Sequence, residues 1–65
     1  MGPNELAALV VLRDGSYSSS ELSLKIAADM RATERAVDRL AQRGFVVREA
    51  TTVHITDAGR HRVGR

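Results

Sequence analysis

Four arginines spaced four residues apart, Arg31, Arg35, Arg39 and Arg43, hold the clearest chemical potential in the chain. A guanidinium is a planar fork of N–H donors that matches phosphate oxygens and the guanine edge in a major groove. Among them stand Thr33, Glu34, Asp38 and Gln42, which can also hydrogen-bond base edges. Glu34 and Asp38 admit a plainer reading too: carboxylates paired with arginines on an ordinary solvated helix face. Residues 1–30 set Arg13 and Lys25 against Glu5, Asp14, Glu21 and Asp29 and are acidic. Residues 31–65 set Arg31, Arg35, Arg39, Arg43, Arg48, Arg60, Arg62 and Arg65 against Glu34, Asp38, Glu49 and Asp57, within a total charge of +2. Nine of the ten basic residues are Arg, which points toward nucleic acid, with genomic base composition as the competing explanation.

Other chemistries find little support. Sixty-five residues with 43% hydrophobic composition and one Phe suit a small aliphatic core, with little surface left to enclose a substrate, so no enzyme is expected. There is no Cys, and His54 and His61 have no recognised ligand spacing, so neither metal nor cofactor is expected. His54 stands near Thr56 and Asp57, but strand alternation separates neighbours and no nucleophile accompanies it. The longest apolar run, Leu6 to Leu12, is far short of the ~20 residues that span a bilayer, so no membrane contact and a cytoplasmic location are expected.

The elements that must position the arginines are marked by punctuation. Pro3 suits a first helical turn and Asp14-Gly15 a stop, predicting a helix over 3–14 with Leu6, Leu9, Val10 and Leu12 inward. Ala7 and Val11 then form a second small stripe, a possible dimer contact. Ser18-Ser19-Ser20-Glu21 matches a capping box, with Tyr17 and Leu22 as a staple, predicting a helix over 19–29 whose inward face runs through Leu22 and Ile26 toward Met30. Capping accounts for Ser18 without any modification of the serine run.

A third helix over 33–43 ends at Gly44 with Ala36, Val37 and Leu40 inward. Thr33 is taken as its N-cap, with Asp29 as the alternative that starts it a turn earlier. Beyond Gly44 the period becomes extended: 45–49 and 52–56 read as two strands joined by Ala50-Thr51, with Phe45, Val47, Val53 and Ile55 inward and Val46 and His54 outward. Gly15-Ser16-Tyr17 can add a third strand, and the basic tail 57–65 is either frayed or a brief helix. The fold class is mainly α with a small β-hairpin, α+β, read as one domain over 1–65.

The order helix, helix, tight turn, helix, hairpin resembles a winged helix-turn-helix domain with a short wing. Ser19-Ser20-Glu21-Leu22 with Ile26-Ala27-Ala28 is similar to the second helix of such regulators, and Arg35 to Val46 to the end of the recognition helix and the start of the wing. Val53-His54-Ile55-Thr56-Asp57-Ala58-Gly59-Arg60 resembles the second wing strand of MarR-like regulators, where Leu-Thr-x-x-Gly leads into the next helix. The likeness runs from about residue 5 to residue 60 and covers the core alone. The long flanking helices that build the MarR dimer and its effector pocket have no match, so neither is carried over. The turn Glu49-Ala50-Thr51-Thr52 has only Arg48 nearby, short of the basic wing usual in that family.

The resemblance implies double-stranded DNA as partner, with the third helix in the major groove. Arg35, with Thr33 or Glu34, would then reach bases, Arg31 and Arg39 would lie near phosphates, and Arg43 at the rim. Asp38 and Gln42 lie on the same outward face, and Arg48 would add a backbone contact from the wing. So small a domain would gain specificity from a homodimer or a protein partner. The role implied is a small transcriptional regulator or accessory DNA-architecture factor. The alternative is a winged-helix protein-interaction module without DNA binding, and salt dependence separates the two.

Overall fold

The computed structural model describes residues 1–64. Arg65, counted above with the basic tail, lies outside the described residues. The order of elements is α1 (Pro3–Leu12), β1 (Tyr17–Ser18), α2 (Ser19–Ile26), α3 (Met30–Gln42), β2 (Val46–Glu49), β3 (Thr52–Ile55) and α4 (Asp57–Arg62). The class is α+β, as the sequence indicates. Helices α1, α2 and α3 pack on one another, and an antiparallel sheet of order β1-β3-β2 closes one side of them.

The punctuation works as chemistry. Ser18 caps α2 by accepting from the Glu21 N–H, while Glu21 Oε1 accepts from the Ser18 N–H at 2.9 Å, a complete capping box. The short strand expected near Tyr17 forms and pairs Tyr17 with Val53 and Ser18 with Thr52. The tail is a helix: Thr56 caps α4 by accepting from the Gly59 N–H at 3.1 Å, and its hydroxyl donates to the Gly44 carbonyl at 2.6 Å. Gly59 is required by close approach, since a Cβ there would overlap the Phe45 carbonyl oxygen and lie 2.7 Å from Ile55 Cγ1. The Thr-x-x-Gly segment therefore ties α4, the end of β3 and the start of the wing into one unit.

Three sequence expectations are corrected. The first concerns α1, which ends at Leu12 and buries Glu5, Ala8, Leu9 and Leu12, leaving Leu6 and Val10 exposed where they were expected inward. Residues 6–12 are apolar all round, so periodicity sets no phase; packing does, and Val11 contacts the core. The second concerns the turn. Helix α2 stops at Ile26 rather than 29 because Ala27 takes a left-handed conformation, φ 56°, as its C-cap. Asp29, not Thr33, then caps α3, accepting from the Ala32 N–H at 2.7 Å, and α3 begins at Met30.

The third concerns β2, whose faces are exchanged. Val46 is buried against the helices and Val47 is exposed, opposite to the expected alternation, while Val53 is buried as expected. Val46 pairs with Ile55 and Val47 with His54 across the ladder, and Phe45, before the strand, packs against the core from the turn. In Phe45-Val46-Val47 an apolar residue stands at both parities, so the sequence leaves the phase open.

Candidate nucleic-acid interface

Helix α3 is one turn longer at its start than the sequence suggests, and its inner face of Thr33, Ala36, Val37 and Leu40 anchors it on α1 and α2. This anchoring overturns one expected contact. Thr33 is 0% exposed and its hydroxyl donates to the Asp29 carbonyl at 2.8 Å, so it belongs to the core and cannot reach a base. A cap residue and a core residue with a satisfied hydroxyl share the same sequence signal, so the sequence does not separate the two roles at Thr33.

The remaining expected residues reach solvent. Arg31, Arg35, Asp38, Arg39, Gln42 and Arg43 are exposed, and Glu34 is half-buried. They do not form one uniform surface. Two flanks of α3 carry different electrostatics.

On the flank toward the wing, Arg48 of β2 reaches back to α3. Its Nη2 lies 2.5 Å from Glu34 Oε1 and 3.0 Å from Asp38 Oδ1, and its Nη1 donates to Ser19 Oγ at 3.4 Å. The hydrogen bond to Glu34 raises the Arg48 pKa above its ordinary value; partial burial opposes this, and the hydrogen bond to Asp38 adds to the rise. One guanidinium thus fastens β2 to α3 and to the first residue of α2. Arg48, expected to meet nucleic-acid backbone, makes three hydrogen bonds within the fold, and Glu34 and Asp38 are engaged with it. Partners ten and fourteen positions away across a turn leave no periodic signature. Opposite charge at 34, 38 and 48 was the only signal present.

The wing lies over the start of α2. Ser18, Ser20, Met30 and Glu34 share a groove with Thr51 of the wing turn and with Arg48. The turn places Ala50 at φ 55° between Glu49 and Thr52, which pair across it, so the tip is short and uncharged. Behind it, His54 Nε2 stands 3.2 Å from Glu49 Oε1, and His54 Nδ1 shares a 2.7 Å hydrogen bond with Ser16 Oγ. His54 is a link between strand and loop, a role that its position on a strand did not disclose.

On the opposite flank, Arg35 and Arg39 stand beside the first turn of α1. Among the described residues, the ion pairs formed involve only Arg48 and His54, so Arg31, Arg35, Arg39 and Arg43 have no carboxylate partner. Arg35, Asp38, Arg39, Gln42 and Arg43 border one shallow concavity along the outer side of α3, so Asp38, held by Arg48 from the wing side, also reaches this face. Donor groups without intramolecular acceptors, on an exposed helix held by a packed scaffold, can bind an anionic polymer. Ala7 and Val11, the possible dimer stripe, are only partly exposed, and Val11 contacts the core, whereas Leu6 and Val10 form the more open apolar pair on α1.

Helix, helix, turn, helix and a two-stranded wing define a winged helix-turn-helix fold. No family model matches the chain, and no curated protein matches it. Solved structures do. RV1404 from Mycobacterium tuberculosis superposes with a TM-score of 0.86 at 23% identity over 94% of this chain and 47% of its own. A MarR-like transcriptional regulator from Thermotoga maritima superposes with a TM-score of 0.85 at 28% identity, covering 98% of this chain and 51% of the regulator. A structure of PigF with SAH matches at a TM-score of 0.70 and 22% identity, over 88% of this chain and 18% of PigF. The chain thus spans about half the length of the first two proteins. No described helix is long and apolar enough to cross a membrane, and no described cluster of His, Cys, Asp or Glu could hold a metal ion.

Proposed function

We propose that the chain is a double-stranded DNA-binding module of a transcriptional regulator, with α3 entering the major groove. The observation that carries this reading is the exposed arginine surface of α3, free of carboxylate partners among the described residues, on a winged-helix scaffold. The likeness to a MarR-like transcriptional regulator at 28% identity supports it. Arg31 and Arg35, in the first half of α3, are assigned to base edges, where a guanidinium pairs with guanine O6 and N7. Arg39 and Arg43, with Gln42, are assigned to the phosphates. Glu34 and Asp38 take no base, because Arg48 holds them; Arg48 sets the wing against α3.

Chemical-shift mapping tests the assignment. On addition of duplex DNA, the amides of Arg31 to Arg43 on the outer side of α3 should move, while those of the outer face of α1 should not. A response confined to α1 and α2 would remove the assignment.

The second reading is a protein-interaction module. It is favoured by Leu24, 83% exposed on α2, and by exposed Leu6 and Val10 on α1. Binding through those side chains would persist as salt rises, whereas binding through arginines would weaken.

A further inference from the structure

We propose that the outward face of α1 is a self-association surface, on which a second copy of this chain packs its own α1 in the antiparallel direction. The proposal stands whether or not α3 binds DNA.

Helix α1 contains one charged residue, Glu5, and that residue is buried. At about 3.6 residues per turn, Ala8, Leu9 and Leu12 turn into the core, and Pro3, Leu6, Ala7 and Val10 fall on the opposite side. Leu6 is 46% exposed and Val10 43%, with no charged side chain of α1 between them. A helix at a protein surface sets charged and polar residues outward, and a helix that is apolar on every side is one that is covered on every side. Pro3, Leu6 and Val10 also recur at the three-then-four spacing of a seam between two helices.

The charges at the two ends of the seam indicate what covers it. Asp14 is exposed just beyond the C-cap Arg13, at the negative end of the α1 dipole, and forms no ion pair among the described residues. At the other end, the N-cap Gly2 offers the first-turn N–H groups no side-chain acceptor. Glu5 of that turn is buried, whereas Arg35 and Arg39 border the turn and form no ion pair among the described residues. The face is thus apolar along its length, positive where α1 begins and negative where it ends.

Such a face is complementary to itself. When Leu6 packs on Val10 of a second copy about a twofold axis at the level of Ala8, the first turn of each α1 comes level with Asp14 of the other, and the match occurs twice. Parallel alignment would instead set Asp14 beside Asp14 and one positive end beside the other. The ten-residue helix is only about 15 Å long, so the surface buried falls well below the ~1,600 Å² of a standard interface. The dimer is therefore weak and governed by concentration.

Sedimentation equilibrium of the chain from about 10 µM to about 1 mM tests the surface. The mass should rise from 7.1 kDa toward twice that value, with half-association on the order of 0.1 mM. Leu6→Glu and Val10→Glu each place a carboxylate in the apolar seam and should raise the dissociation constant at least about tenfold. Asp14→Lys, which leaves the seam intact, should raise it about fivefold. Both seam positions lie outside the core, and dispersed amide spectra report that the variants are folded. One readout needs no variant: in a mixture of ¹³C-labelled and unlabelled protein, isotope-filtered NOEs should join Leu6 methyls of one copy to Val10 methyls of the other. A chain that stays monomeric at about 1 mM, a dimer unchanged by either glutamate substitution, or filtered NOEs from another face alone would overturn the proposal. An Asp14→Lys dimer as tight as that of wild type would overturn the antiparallel alignment.

Discussion

The two flanks of α3 carry opposite charges and have different uses. Toward the wing, Glu34 and Asp38 are tied to Arg48, and the three charges serve to hold β2 against the helix. Toward α1, Arg35 and Arg39 lie one residue further along the same turns and form no ion pair among the described residues. Composition along α3 reads as alternating acid and base, which would suggest a self-neutralising face. Tertiary structure offsets part of that acidity by setting one guanidinium from outside the helix, Arg48, against the two carboxylates. What remains on α3 for a partner is therefore more basic than its sequence. Fold likeness alone would not disclose this, since PigF shares the fold over 18% of its own chain and a MarR-like regulator over 51%.

The largest effect is expected from breaking the platform that both flanks share. Gly59→Ala drives a methyl group against the Phe45 carbonyl, at the junction of α4 and the wing, and should cost about 3 kcal/mol in a urea melt. The wing would lose its seat, and Arg48 its approach to α3. A midpoint like that of wild type would mean that the wing is fixed by Arg48 alone.

Asp29→Ala removes the cap that begins α3 a turn early and should cost about 1 kcal/mol by thermal denaturation. Thr33→Val removes a buried hydroxyl but keeps the shape, and should cost a similar ~1 kcal/mol while leaving duplex affinity at its wild-type level. A loss of affinity without a loss of stability would return Thr33 to the list of base contacts.

Arg48→Met opens the wing flank. The ion pairs are more than a third exposed, so the stability loss should stay below about 1 kcal/mol. Because pairing raises the Arg48 pKa, its contribution is complete below the ordinary arginine range and is lost only as pH rises through the raised value. The difference in melting temperature between wild type and variant should therefore be constant from about pH 7 to about pH 10. Duplex affinity should fall because two carboxylates are released beside the groove, yet the salt slope should not flatten by the ~1 that a lost phosphate contact predicts. A slope reduced by that amount would make Arg48 a phosphate ligand.

Much of the fold was legible because local chemistry encodes it. The Ser18–Glu21 box, the Thr56-x-x-Gly59 segment and the hairpin around Ala50-Thr51 each declare a boundary within a few residues of sequence. Faces were harder: α1 is apolar on every side and Phe45-Val46-Val47 apolar at both parities, so only packing could choose Leu9 over Val10 and Val46 over Val47. The exposed arginines of the candidate site were found from spacing, but not their division into flanks. Arg48 meets Glu34 and Asp38 only after the chain has turned at Gly44 and entered the sheet, and Glu5 nears Arg35 only through the packing of α1 on α3. Contacts between elements have no period, and a sequence lists their members without joining them.

The most direct test is the fluorescence anisotropy of labelled random-sequence duplex, titrated with wild type and with Arg35→Ala/Arg39→Ala at about 50 mM and about 150 mM salt. The double variant removes two exposed guanidinia that make no ion pair among the described residues, so it should remain folded. Wild type should bind with steep salt dependence. The double variant should lose about 2 kcal/mol or more of binding free energy and flatten the slope. Equal affinity of the two proteins, or wild-type binding indifferent to salt, would contradict the assignment of the open flank of α3 to DNA.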